Sequence, residues 1–143
     1  MECIEKECIF CKIIKKEIPA EIVYEDEMIL SFLDIDPINE GHLLIIPKTH
    51  YLDLDELDED IAVHIMKFSI KATRALKKVF QPEGYSIMQN GGHFNDIGHY
   101  HMHIFPRYKG DGFGWICGEV DGEKQSIKDI RITIYSELFD RID

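Results

Sequence analysis

The residues best suited to chemistry lie in one segment, His99-Tyr100-His101-Met102-His103-Ile104-Phe105, where every second residue is a histidine before the final phenylalanine. Successive side chains of a strand point to opposite faces, so this alternation places three imidazoles on one face, with neighbours roughly 6 to 7 Å apart. Adjacent imidazoles carry polar nitrogens that all need partners, which speaks against a packing role. The pattern therefore predicts a chemical site on the histidine face of a strand.

Two chemistries use such a row, and the row alone leaves both open. In the first, two or three histidines hold a metal ion that activates water. In the second, one histidine is the nucleophile toward phosphorus, and a neighbouring histidine holds the phosphoryl oxygens.

A second cluster has the spacing of metal ligands: Cys8 and Cys11 form a Cys-x-x-Cys pair near the start of the chain. In a reducing compartment such a pair serves metal binding, redox chemistry or packing. No thioredoxin-like βαβ pattern surrounds the pair, which disfavours the redox role. Cys3 and Cys117 have no partner at ligand spacing.

The elements that must position these residues follow from apolar runs bounded by turns. Runs rich in Ile, Val, Leu and Phe predict neighbouring antiparallel strands over residues 21–24, 28–34 and 42–47. Two later strands are expected over residues 85–89 and 99–106, with a polar loop between them. A short helix over residues 9–16 is expected to open the fold, since Pro19 prevents its continuation.

A single apolar stripe with spacings of three and four predicts one long helix over residues 57–80. Its first turn is acidic and its last turn is basic, an order that complements the helix dipole. A closing helix is expected over residues 126–139. Together these elements predict an α+β fold with an antiparallel sheet of about five strands, one long helix and two shorter ones.

Composition limits the classes of protein to consider. With 143 residues the chain is expected to be one domain, residues 1–143. Lys and Arg number 16 against 27 for Asp and Glu, and the net charge of −11 disfavours binding to nucleic-acid polymers and to anionic membranes. The first residues are too charged for a secretory signal, and no apolar run approaches the ~18 residues of a membrane span. We therefore expect a cytoplasmic protein.

The histidine segment, followed by Pro106-Arg107-Tyr108, resembles the signature of the histidine triad (HIT) family, His-φ-His-φ-His-φ-φ, where φ is apolar. Further motifs are similar in order and spacing to the small HIT proteins of the Hint branch: Cys8-Ile9-Phe10-Cys11, Phe32-Leu33-Asp34-Ile35 and Gly41-His42-Leu43-Leu44-Ile45-Ile46-Pro47. The resemblance covers residues 8 to about 114.

The resemblance implies nucleotide hydrolysis or transfer at the α-phosphate of a purine nucleotide derivative, such as a phosphoramidate or a dinucleoside polyphosphate. His101 matches the family nucleophile, whose Nδ1–H should donate to a backbone carbonyl and leave the lone pair on Nε2. His103 would bind the phosphoryl oxygens together with backbone N–H groups near Ile97, and His42 matches a fourth histidine beside the row. A nucleotide-binding adaptor with little turnover and a metal-dependent phosphohydrolase are the alternatives.

Substrate-binding residues also follow from the resemblance. Asp34 matches the acid that accepts hydrogen bonds from the ribose, and Asn90 matches an asparagine near the phosphates. Phe10, Phe32 and Ile35 match the apolar walls around the base.

One loop departs from the family pattern. The family usually has Gly-Gln and then a small polar residue before the triad, whereas this chain has Asn95, Asp96 and Ile97. Asn95 keeps a side-chain amide. Asp96 puts a carboxylate where a hydroxyl often contacts the leaving group, so leaving-group preference is left open.

In zinc-binding HIT relatives the cysteine pair joins a downstream histidine and the first histidine of the triad. The resemblance therefore implies a structural zinc site formed by Cys8, Cys11, His50 and His99. It also implies a homodimer in which the long helix and an edge strand meet those of a second subunit.

Overall fold

The structure is a computed structural model that describes residues 7–139. Its regular elements, in chain order, are helix α1 (Ile9–Ile14), strands β1 (Ile22–Glu25), β2 (Ile29–Leu33) and β3 (Leu43–Pro47), helix α2 (Glu59–Phe80), strands β4 (Gly84–Met88) and β5 (Met102–Arg107), and helix α3 (Ile127–Phe139). Single 3-10 turns lie at Leu54–Glu56 and Gly92–Phe94.

The strands form one sheet in the order β1-β2-β3-β5-β4, and every neighbouring pair is antiparallel. β5 lies between β3 and β4, so His103 on it is paired with Leu44 on one side and Met88 on the other. The predicted α+β fold is confirmed, with its five antiparallel strands and its one long and two shorter helices.

The inner strands β2, β3 and β5 are largely buried on both faces because they carry apolar residues on each side. On one face, α2 covers a cluster that includes Ile45 and Ile104. On the other face, α1 covers a cluster that includes Phe10 and Leu44. Leu44 pairs with His103 across β3 and β5, so the histidine face of β5 is the face covered by α1.

The strand predicted over residues 99–106 begins later than expected, at Met102. Pairing of β5 with β3 stops at Ile45 opposite Met102. Further along β3, Pro47 has no N–H to donate, and its carbonyl accepts from His99 Nε2 at 2.9 Å. His99 and His101 therefore lie in an irregular segment just before the strand, and only His103 lies within it.

Helix α2 begins as the acidic run predicted. Asp58 is its N-cap and its carboxylate accepts from the N–H groups of Asp60 and Ile61. The helix ends at Phe80, and Gln81 adopts a left-handed conformation with φ 47°. The residues of α2 that face the sheet include Ile65, Ala72 and Leu76, all buried.

The chain divides into two compact units, one ending at Phe113 and one beginning at Gly114. In the second unit, α3 follows an irregular stretch, and every described residue of α3 is exposed. The interpretation of residues 1–143 as one domain stays a prediction. Within residues 7–139, no helix has both the length and the apolar character required to cross a bilayer.

Candidate active site

His101 lies at the base of a cleft and is only 3% exposed. Its Nδ1 is 2.8 Å from the carbonyl oxygen of His99. A carbonyl can only accept, so this contact assigns the hydrogen to Nδ1 and leaves a lone pair on Nε2. The geometry thus favours the tautomer expected for a nucleophile.

His103 and His42 form a hydrogen-bonded pair whose direction is set by a backbone amide. The N–H of Ile38 donates to His42 Nδ1 at 3.0 Å, so the neutral His42 ring carries its hydrogen on Nε2. That Nε2 lies 2.8 Å from His103 Nδ1, which must accept. His103 therefore carries its own hydrogen on Nε2 and can donate it to a ligand in the cleft.

Burial keeps this pair uncharged at neutral pH. Desolvation lowers the pKa of His103 to about 4, and the nearby His101 and His42 act in the same direction. Burial also lowers the pKa of His42, against the opposing charge of Asp34. Neutral rings are what the donor and acceptor assignments of the pair require.

The cleft has a volume of about 360 Å³. Its apolar wall includes Phe10 and Phe32, whose ring centroids are 5.5 Å apart in an edge-to-face arrangement. Phe10 also meets the His101 ring edge-to-face, with centroids 5.2 Å apart. Ile97 and Ile35 line the cleft too, and Ile35 is 96% exposed, as expected of a residue at the cleft opening.

Two predicted acids line the cleft at different places. Asp34 Oδ2 lies 3.6 Å from His42 Nε2, and Asp34 Oδ1 accepts from the N–H of Asp36 at 2.9 Å. Asp96 Oδ1 lies 3.7 Å from His101 Nε2, and the Asp96 side chain is 83% exposed. Among the described contacts, Asp96 is the acid that lies beside the lone pair of His101.

The two predicted asparagines are not among the described residues that line the cleft. The Asn95 amide donates to the carbonyl of Leu52 at 2.8 Å and to Asp53 at 3.0 Å, and its oxygen accepts from the N–H of Gly98 at 3.0 Å. Asn95 therefore holds the loop that precedes the histidines. Asn90 is exposed, and its carbonyl accepts from the Gln89 side chain at 2.8 Å.

The predicted metal ligands converge at the far end of the histidine row. The ligand atoms of Cys8, Cys11, His50 and His99 all lie within 4.8 Å of one another. The distance from Sγ to Nδ1 is 3.4 Å for Cys8 and His99, and 3.2 Å for Cys11 and His50. Tetrahedral zinc with ordinary bond lengths would separate a sulfur and a nitrogen ligand by about 3.6 Å. In this structure Cys8 is free and Cys11 is disulfide-bonded, so the donor set and its spacing fit a closed four-coordinate site once Cys11 is reduced to a thiolate.

His99 is oriented for this role by its other nitrogen. Its Nε2 donates to the carbonyl of Pro47 at 2.9 Å, which leaves the lone pair on Nδ1, the atom that faces both cysteines. Burial lowers the pKa of His99 to about 4, so the ring is neutral at pH 7.

Sequence reasoning missed the groups that orient the histidines. The Ile38 N–H and the carbonyls of Pro47 and His99 are backbone atoms, so residue type gives no signal for them. Asp36, which also lines the cleft, was not singled out although it is close to Asp34 in sequence.

The chain is similar to a known family and to several known proteins. The HIT domain profile matches residues 15–110. The protein named hit of Bacillus subtilis is 42% identical over 143 residues, 96% of this chain and 98% of the relative. A Candida albicans protein named adenosine 5'-monophosphoramidase is 40% identical over 126 residues, 82% of this chain and 83% of the relative.

Two solved structures are similar over most of the chain. A HIT family protein from Bacillus anthracis has a TM-score of 0.82 and 38% identity, covering 92% of this chain and 97% of the other. A zinc-bound histidine triad family protein from Mycobacterium smegmatis has a TM-score of 0.70 and 35% identity, covering 76% of this chain and 80% of the other.

Proposed function

We propose that this chain, which belongs to the HIT family, is a nucleotide hydrolase that acts at the α-phosphate of purine nucleotide derivatives through a covalent intermediate on His101. The observation that carries the proposal is the contact from His101 Nδ1 to the His99 carbonyl, which leaves the Nε2 lone pair in the cleft. The relative named adenosine 5'-monophosphoramidase supports the reaction class.

In the first step, the Nε2 lone pair of His101 attacks the α-phosphorus. The bond between phosphorus and the leaving nitrogen or oxygen breaks with its electron pair, and the leaving group takes a proton from water. In the second step, a water molecule attacks the nucleotidyl-histidine and releases its proton to solvent. The bond from phosphorus to Nε2 breaks, its electron pair returns to the ring, and a nucleoside monophosphate leaves. Transfer follows when another nucleophile replaces water.

His103 stabilises the charge that develops on the phosphoryl oxygens. It can donate from Nε2 because His42 supplies a hydrogen to its Nδ1. Backbone N–H groups near Ile97 are the proposed second set of donors. His42 acts through His103, so we assign it as the residue that fixes the tautomer of the pair.

The nucleoside is proposed to bind along the apolar wall of the cleft. Phe10, Phe32 and Ile35 would enclose the base, and Asp34 would accept hydrogen bonds from the ribose hydroxyls. The positions of Asn90 near the phosphates and of Asn95 among the substrate-binding residues stay predictions from the family resemblance.

The metal-dependent alternative conflicts with the hydrogen bonding of the row. A metal bound by His42 Nε2 would need the hydrogen on Nδ1, where the Ile38 N–H already donates. His99 directs its Nδ1 toward the cysteines rather than the cleft.

The adaptor alternative predicts tight nucleotide binding with no covalent intermediate, which makes turnover the deciding measurement.

Turnover of adenosine 5'-phosphoramidate tests the proposed function. The wild-type protein should release adenosine monophosphate, and His101→Gln should lower kcat by at least about 10³-fold because the nucleophile is absent. His93→Gln, a change at an exposed histidine outside the cleft, is the matched control and should retain the rate. Equal rates in the wild type and in His101→Gln would disprove the covalent role.

We also propose that Cys8, Cys11, His50 and His99 hold a structural zinc ion. The fit rests on two sulfurs and two imidazole nitrogens at tetrahedral spacing, and it requires that the disulfide bond of Cys11 be reduced. A bound zinc would link α1 to the segment that carries His101. Thiolate ligands require reducing conditions, which agrees with the cytoplasmic location that we propose.

Metal analysis of protein purified with a reductant tests this site, since oxidation of either cysteine would remove a ligand. The wild type should contain about one zinc ion per chain, and Cys8→Ser should lose most of it. Cys117→Ser alters an exposed cysteine outside the cluster and should keep the zinc. Equal zinc in both variants would contradict the assignment.

A further inference from the structure

The cleft is unusual in its charge for a site that binds phosphate. Its charged side chains are Asp34, Asp36 and Asp96, and no Lys or Arg occurs among the described residues that line it. A phosphoryl group would therefore depend on imidazole and backbone donors alone. Additional negative charge on a substrate would meet carboxylates with no cationic side chain to offset them.

The three carboxylates differ in their relation to the reacting atoms. Asp34 contacts His42 and the N–H of Asp36, on the side proposed for the ribose. Asp96 instead lies 3.7 Å from His101 Nε2, the atom that would attack phosphorus. With phosphorus about 3 Å from Nε2 and the leaving atom in line beyond it, a carboxylate to the side of the line of attack would lie roughly 6 Å from the leaving atom. That distance is shorter than the Debye length of about 8 Å at physiological salt.

Asp96 is also open to solvent, with its side chain 83% exposed. It can therefore face a substituent that extends out of the cleft on the leaving group, without first breaking a buried contact. The preceding Asn95 is fixed to Leu52 and Asp53, so the backbone that carries Asp96 has a defined position.

We propose that Asp96 determines leaving-group specificity by favouring amines that carry an additional positive charge and disfavouring those that carry a carboxylate. The inference rests on the proposed nucleotide hydrolase function and names the class of substrate that the site selects. The preferred class is a nucleoside monophosphate joined through nitrogen to a diamine, whose second amine keeps the positive charge.

Three adenosine 5'-phosphoramidates with the same P–N linkage test the proposal. In the first the nitrogen carries a cationic 3-aminopropyl group, in the second an uncharged butyl group, and in the third an anionic 2-carboxyethyl group. In the wild type, kcat/KM should fall in that order. Asp96→Asn should reduce the ratio between the cationic and the anionic substrate by about threefold to tenfold, the range for an exposed charge at this distance. Asp96→Lys should reverse the order, and added salt should reduce the wild-type ratio.

Asp55→Asn is the matched control because it removes the same charge from an exposed residue of a 3-10 turn that does not line the cleft. It should leave the ratio unchanged. The proposal is overturned if Asp96→Asn keeps the wild-type ratio, or if Asp55→Asn lowers the ratio equally. If turnover still depends on His101, either of these results contradicts the role of Asp96 and leaves the proposed hydrolase function in place. No turnover of any substrate, or turnover retained in His101→Gln, removes the proposed function as well.

Discussion

At the scale of single residues, the chemistry of the row depends on which nitrogen of each ring carries a hydrogen. One amide, the N–H of Ile38, fixes the tautomer of His42, and His42 in turn fixes the tautomer of His103. One carbonyl, that of His99, fixes the tautomer of His101. These three contacts make one ring suited to attack and its neighbour suited to donate, although both are the same residue type.

The lowered pKa of His103 predicts that stability depends on pH. The folded protein holds His103 neutral down to about pH 4, whereas an unfolded histidine gains a proton near pH 6.5. Between these values the unfolded state binds more protons, so the free energy of unfolding falls as pH falls. Chemical denaturation at pH 7 and pH 5 should give a loss on the order of 1 to 2 kcal/mol from His103 alone.

His103→Gln should therefore lose less stability than the wild type over the same pH interval. His93→Gln, at an exposed position, should behave as the wild type does. An equal loss in the wild type and in His103→Gln would show that His103 is not held neutral by the fold.

At the scale of elements, the turn before β3 determines where His42 enters the site. Gly41 has φ 89°, a conformation that other residues rarely adopt, and the Phe80 ring at the end of α2 occupies the place of a Cβ. Gly41→Ala should lower the free energy of unfolding by about 1 to 3 kcal/mol, from backbone strain and steric overlap. Thermal and chemical denaturation measure the change.

Gly84→Ala is the control for Gly41→Ala. Gly84 lies in β4 with open space around its Cα, and it has no positive φ. Alanine there should change stability by less than about 0.5 kcal/mol. A Gly41→Ala protein as stable as Gly84→Ala would contradict the role given to the turn.

The elements themselves could be predicted from the sequence because their periodicities are clear. The stripe along α2 and the alternation of β5 follow from the spacing of apolar residues. The true start of β5 could not be predicted, because it depends on Pro47, a residue of another strand, and on the pairing of its carbonyl with His99. The cluster of Cys8, Cys11, His50 and His99 was proposed from family resemblance, since spacing alone gave only the cysteine pair.

At the scale of the whole molecule, apolar residues are exposed on both the edge strand β4 and the long helix α2. β4 lies at an edge of the sheet, and its exposed Tyr85 and Ile87 lie on the face covered by α2. On α2, a stripe with spacings of three and four is also exposed: Val63, Met66 and Ile70. These residues agree with the homodimer that the family resemblance predicts, built through the long helix and an edge strand.

Met66→Glu should shift the protein toward monomer, because a charge would be buried between subunits. Light scattering coupled to gel filtration measures the mass. Lys67→Glu introduces the same residue at the next position of α2. Lys67 lines a groove that residues of α2 and β1 form, so this change should leave the dimer intact. A monomeric wild type, or dimers of equal stability in both variants, would contradict the proposal.

The net charge of −11 and the absence of Lys and Arg from the described cleft lining fit the same picture. A polyanion would meet no cationic side chain among these residues, whereas the proposed function requires only that His103 and backbone donors hold one phosphoryl group.

The most direct test of the central claim is mass spectrometry of the intact protein after a rapid quench at high pH, where phosphorus–histidine bonds persist, during turnover of an adenosine phosphoramidate. We predict a species heavier by one adenylyl group, with the modification on His101 in fragments of the chain. The species should be absent from His101→Gln and should form, more slowly, in His103→Gln. Turnover by the wild type with no adduct at any quench time, together with full activity of His101→Gln, would contradict the account.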